Sequence, residues 1–224
     1  MKKLINTLEE FNQTKVIKKS LKVTKLKYRP LDPGSYLYDL ILKYKYKNKF
    51  TEDFIKLVYV TLSAWNMNSR GAKLNDYKVF KSSIIKNKKY FDILQKEKIH
   101  HLNKEQNIEA LSMLFNKIRL VYLDKPPLVT FSKTMHFFLP DLIVPIDRKY
   151  TLNYFYKNIT IPKDNDKQFK MFIEIQEEYS LFANEHDLSK YIDSIWNRNI
   201  PKIMDNMVIG YLKSKEKRRT TAST

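Results

Sequence analysis

Cysteine is absent from this 224-residue chain. Disulfide bridges, thiolate metal ligands and cysteine nucleophiles are thereby excluded. Glycine is almost absent too: only Gly34, Gly71 and Gly210 occur. Three scattered glycines cannot form the phosphate-cradling loops of the Walker or Rossmann type. They also disfavour a fold rich in tight β-turns and leave a helical one as the expectation. Long apolar runs are missing as well. The most apolar stretch, residues 54–65, is too short to span a bilayer and carries Lys56. Residues 1–11 have two lysines, but Asn6, Glu9 and Glu10 interrupt any apolar core, so a signal peptide is not expected. The sequence therefore reads as a cytoplasmic protein with no membrane partner.

Acidic residues are in the minority, 24 against 42 basic ones, for a net charge of +18. Such a balance suits a polyanionic partner, nucleic acid first. Only seven of the basic residues are arginine. An excess of lysine, asparagine and isoleucine is also what AT-rich coding produces, so the charge has a second explanation.

Hydrophobic residues make up 43% of the chain and aromatics 13%, a globular composition. Their spacing is helical. Thr51 caps a helix with Glu52 and Asp53 in its first turn, apolar on nearly every face, and is expected to open the central buried helix. Asn103 with Gln106 reads as a capping box before Ile108, Leu111, Phe115, Ile118 and Tyr122. Further helices are expected over 1–20, 35–45, 76–86, 88–97, 165–184, 187–199 and after Pro201, which suits a first turn. Residues 21–32 read as irregular, with room for one short strand. The expectation is one all-α domain over residues 1–212, with lobes 1–123 and 124–212 conceivable, and a basic disordered tail at 213–224.

The stretch 125–155, KPPLVTFSKTMHFFLPDLIVPIDRKYTLNYF, holds most of the candidate chemistry. Thr130 or Ser132 is expected to open a short helix that Pro140 ends. An apolar connector, Leu142-Ile143-Val144, follows. Asp147 then stands in cap position before Tyr150, Leu152, Tyr154 and Phe155. Residues 127–134 followed by Val144-Pro145-Ile146-Asp147-Arg148 resemble the helix-hairpin-helix DNA glycosylases, the endonuclease III-like base-excision enzymes. This chain lacks the glycines of that family's hairpin and has a shorter lysine-to-aspartate gap. The string Ser132 to Phe137 with Pro140-Asp141 is also similar to a set of small helical proteins. The glycosylase resemblance implies that hairpin amides near Phe131 grip a backbone phosphate, that Lys133 is the nucleophile, and that Asp147 stabilises the sugar cation. It implies DNA more than RNA as partner. The alternative is a non-catalytic helical module that binds DNA or a protein.

Beside these stand plainer readings. Asp147 is an ordinary N-cap, Lys133 one of many solvated lysines, and His136 a core histidine next to Phe137. A second candidate stretch runs through Trp65, Asn66 and Arg70. There Trp65 reads as a stacking platform and Arg70 as a phosphate clamp, against the plain reading of a helix end with Asn68 or Gly71 left-handed. Ser132, His136 and Arg148 complete the candidate binding residues. The interleaved run from Tyr36 to Phe50 also suits a single strand. His100-His101 and His186 do not form a ligand set; no metal or cofactor is expected.

Overall fold

The computed structural model describes residues 4–67 and 73–221, for 217–221 the backbone only. It is all-α: ten helices and no β-sheet occur among the described residues. Their order is α1 (Thr14–Lys25), α2 (Pro33–Lys43), α3 (Glu52–Ala64), α4 (Tyr77–Lys86), α5 (Lys88–Leu94), α6 (Glu105–Lys117), α7 (Leu128–Phe138), α8 (Asn153–Tyr156), α9 (Asn165–Glu185) and α10 (Ile200–Thr221). Buried apolar residues from Leu8 to Tyr211 form one continuous cluster.

The centre of that cluster is α7, not α3. Thr51 does cap α3, accepting from the Phe54 amide at 3.4 Å, but Val60 on α3 is 52% exposed. Every residue of α7 is buried. Phe131 packs edge-on against Phe115 of α6 and Phe172 of α9, with centroids 4.9 and 5.2 Å away. Phe138 meets Phe54 of α3 and Phe91 of α5 at 5.1 and 4.8 Å. Each such ring contributes roughly 1.5–3 kcal/mol through burial.

A helix enclosed in this way has no water for its ends, so other elements cap it. Gln168 of α9 accepts from the Leu128 amide at 3.2 Å. Lys49 donates to the carbonyls of Phe137 and Phe138 at 3.0 and 2.8 Å. Thr130 and Ser132, expected to open the helix, lie inside it. Thr134 turns its hydroxyl back to the Thr130 carbonyl, and Ser132 turns its own to Val129.

Several boundaries depart from the expectation. Helix α6 starts at Glu105 and Asn103 does not cap it; it ends at Lys117, so Tyr122 lies beyond it and is exposed. Helix α1 covers 14–25, and residues 26–32 contain turns, with no strand. Residues 187–199 form only a short 3-10 turn, Ser189–Tyr191, and no α-helix: Asp193 Oδ1 accepts from the amides of Ile195, Trp196 and Asn197 at 3.0, 2.7 and 2.9 Å. One carboxylate serving three amides offers the backbone a better local bargain than helix continuation. Helix α10 carries on through residues 213–221, where the charged sequence suggests disorder.

Helix α10 lies along α1, and Gly210 packs directly against the Ser20 backbone. A Cβ there would sit 2.0 Å from the Ser20 carbonyl oxygen. Alanine in a helix is favoured over glycine by about 1 kcal/mol, but forcing two backbones apart costs roughly 1–3 kcal/mol or more. Because the overlap is deep and against backbone, the upper end of that cost applies, and Gly210→Ala is expected to lower unfolding free energy in urea titration by about 2 kcal/mol. An unchanged or raised midpoint would show that the contact yields.

Candidate functional site

Beyond α7 the chain turns back along it as the buried connector 142–146. Three side chains hold it in place. Gln176 of α9 pairs with both backbone groups of Val144, accepting from its amide at 2.9 Å and donating to its carbonyl at 2.8 Å. Ser132 accepts from the Ile146 amide at 2.9 Å. His136 Nδ1 lies 2.7 Å from the Ile143 carbonyl oxygen, so this nitrogen carries the proton.

His136 Nε2 is consequently the acceptor of the Tyr38 hydroxyl, 2.7 Å away, and the two rings stack. Burial pushes the His136 pKa down to about 3. It is a neutral core histidine that fixes the connector and does not reach the pocket described below.

The clamped connector delivers Asp147 to the end of a short π-helical turn, Arg148–Leu152. Its two oxygens divide their work. Oδ1 caps the turn by accepting from the amides of Lys149 and Tyr150 at 2.8 and 3.2 Å, while Thr151 accepts from the Asp147 amide at 2.9 Å. Oδ2 lies 3.9 Å from Lys133 Nζ. The cap reading and the carboxylate-by-lysine arrangement are thus both present in one side chain.

Lys133 and Asp147 line a pocket of ≈ 160 Å³ together with Trp65, Tyr150, Trp196, Lys202 and Asp205. It suits one ring-sized group, well short of the roughly 300 Å³ at the lower end for drug-sized ligands. Trp65 is set by α2: its indole N–H donates to the Gly34 carbonyl at 3.1 Å, and Gly34 has no Cβ to push the ring away. Lys133 Nζ lies over this indole, 5.4 Å from its centroid. Its side chain is only 8% exposed. Burial pushes the Lys133 pKa below the ordinary lysine value; Asp147 and Asp205 oppose that shift and Lys202 adds to it.

Lys202 and Asp205, adjacent turns of α10, form a second pair at 2.6 Å, both nearly buried. Burial holds the Asp205 pKa above the ordinary carboxylate range, against the pull of Lys202. Lys202 Nζ stands 4.3 Å from the Trp196 centroid. Two ammonium groups and two carboxylates therefore share an indole-walled cavity.

Of the candidates named from sequence, Trp65, Lys133 and Asp147 come together here. Ser132 supports the connector, and Arg148 is turned outward, donating to the Ile159 carbonyl at 3.1 Å. Asn66 is the left-handed residue (φ 61°) that ends α3, where Asn68 or Gly71 was expected. Arg70, Asn68 and Gly71 lie outside the described residues. Phe131, near which phosphate-gripping amides were expected, lies inside α7 with its amide donating to the Pro127 carbonyl at 2.7 Å, and the Leu128 amide at the helix start donates to Gln168. Trp196, Lys202 and Asp205 were missed. An i, i+3 lysine–aspartate pair just behind an Asx turn and a proline was the available signal, but charged pairs on helices usually face water. Among the described residues, no group of three or more acidic or histidine side chains is placed to hold a metal. No helix among them is long and apolar enough to cross a membrane.

Comparisons with protein-family models, with characterised proteins and with solved structures give no match.

The His136 geometry has a consequence for stability. Its proton affinity is depressed by folding, so the unfolded chain binds more protons between pH 6.5 and about 3. Stability is full above that window and falls through it on acidification. His136→Gln is expected to flatten this part of the acid slope in denaturation measured at pH 7 to 4, while lowering stability at pH 7. A slope identical to wild type would mean that His136 is not held neutral.

Proposed function

We propose that the protein binds nucleic acid and cleaves an N-glycosidic bond in DNA, with Lys133 as nucleophile and Asp147 as electrostatic partner. The observation that carries this reading is the 3.9 Å approach of Asp147 Oδ2 to Lys133 Nζ in a pocket with indole walls. A nucleotide turned out of a stack would place its ring in such a cavity. A base-excision site needs an amine that is neutral part of the time and a carboxylate whose charge does not move. Burial shifts Lys133 toward the first, and the Oδ1 cap holds the second.

In this scheme the Lys133 lone pair bonds to C1′ as the N-glycosidic bond breaks. The departing base keeps the bonding electrons and takes up a proton. Asp147 lies where positive charge develops on the sugar. The attached amine gives up a proton; its lone pair then expels the ring oxygen, which keeps the C1′–O4′ electrons and takes up the second N–H proton, leaving a Schiff base at C1′. The net charge of +18 favours the polyanionic substrate.

Two measurements test this on a panel of duplex and single-stranded DNA carrying damaged bases or abasic sites. Borohydride is expected to trap a covalent complex that Lys133→Gln abolishes. Base release, followed by chromatography, is expected to fall about 10²–10³-fold in Asp147→Asn. DNA binding with neither trapping nor base release on any substrate would leave a non-catalytic binding module instead.

A further inference from the structure

Beside the Lys133 pocket lies a second, larger concavity of ≈ 300 Å³ that shares Tyr150, Trp196 and Ile209 with it. Three partly exposed rings line it. Tyr28 lies 5.1 Å from Trp196 between centroids, and Tyr150 forms the divide between the two cavities. Cations converge on the same place from three elements: Lys27 and Arg29 beyond the end of α1, Lys149 on the π-helical turn, and Lys213 on α10. Lys149 and Lys213 each hold their ammonium group over the Tyr150 ring, at 5.3 and 5.2 Å. The carboxylate lining this concavity, Asp32, is already engaged in capping α2 through the amides of Gly34 and Ser35.

We propose that this groove holds an unpaired nucleic-acid strand, with a base stacked on the Tyr28–Trp196 surface and its phosphate between Lys27, Lys149 and Lys213. Rings alternating with ammonium groups are what a single strand needs, because unpaired bases offer their faces and duplex bases do not. Lys27, Arg29, Lys149 and Lys213 outnumber the carboxylates that face them, Glu216 and Asp147 beside Lys213 and Asp39 beside Tyr28, so the groove favours an anion. Burial of Lys213, with Lys27 and Lys149 close by, lowers its pKa against the opposing pull of Glu216 and Asp147, and a phosphate would relieve the repulsion among the three lysines. Continuity with the Lys133 pocket sets the order of the strand: the nucleotide next to the one in the pocket occupies the groove. That last step rests on the proposed function; the groove itself does not.

Fluorescence anisotropy with a labelled single-stranded oligonucleotide, and with the same sequence as duplex, tests the inference on the full chain. The single strand is expected to bind at least tenfold more tightly. Changing Lys27, Lys149 and Lys213 together to Gln is expected to weaken it and to reduce the slope of log affinity against log salt by about 2. Tyr28→Leu is expected to weaken it roughly tenfold. A matched change of Lys78, Lys86 and Lys89 to Gln, equal in charge but on α4 and α5, is expected to cost far less. Equal affinity for duplex, or equal losses in both triple variants, would overturn the groove. So would displacement of the strand by phosphatidylserine vesicles at matched anion concentration, which would make it a lipid site. If strand binding behaves as stated but no base is released, the groove stands and the glycosidic chemistry falls; the reverse result removes the groove alone.

Discussion

A helix with no face toward water must find every hydrogen-bond partner inside the protein, and α7 is built under that constraint. Gln168 and Lys49 close its two ends, while Ser132 and Thr134 return to its own carbonyls. Ser132 and His136 also reach the returning connector. Lys133 is the exception. Its ammonium group does not end in the core but emerges into a cavity where an indole and two carboxylates face it. An unneutralised charge at that depth would cost several kcal/mol.

The same constraint explains why Asp147 stands where it does. The connector is held through its backbone by residues of α7 and α9, so its register relative to Lys133 is set before any ligand arrives. The cap on the π-helical turn then fixes the carboxylate itself. Positioning by backbone clamps and a cap leaves little freedom for the charge to follow a substrate, the condition under which fixed charges stabilise a developing one most effectively. Trp65 is placed by a glycine on α2, and Trp196 by an Asx turn. Five separate chain segments thus converge on one small cavity, although its shorter ion pair, Lys202–Asp205, has no role in the glycosidic scheme.

Much of the fold was legible. Scarce glycine and helical spacing pointed to an all-α chain, and the caps at Thr51 and Asp147 are where their residue types suggest. The central helix was misjudged because hydrophobicity pointed to α3, whereas α7 interrupts its apolar residues with Ser132, Lys133, Thr134 and His136. Those polar groups are satisfied by partners far along the chain, which spacing cannot reveal. The same limit applied to residues 187–199, where an apolar pattern fit for a helix lost to three amides bound by Asp193. The tyrosines and lysines of 36–50 look like a strand-binding surface in sequence. In the fold, Tyr38 is buried and Tyr46 donates to Asp92. The rings that do face an open basic groove, Tyr28, Tyr150 and Trp196, are scattered along the chain and share no motif.

The account stands on the state of one amine. The rate at which Lys133 reacts with a small amine-directed reagent, followed by mass spectrometry as pH is raised, reads that state directly. The midpoint is predicted to lie clearly below 10.5, the ordinary lysine value, and below those of exposed lysines in the same protein. A Lys133 that titrates with the exposed lysines would contradict the account, because burial would then not be tipping its amine toward the neutral form that a nucleophile requires.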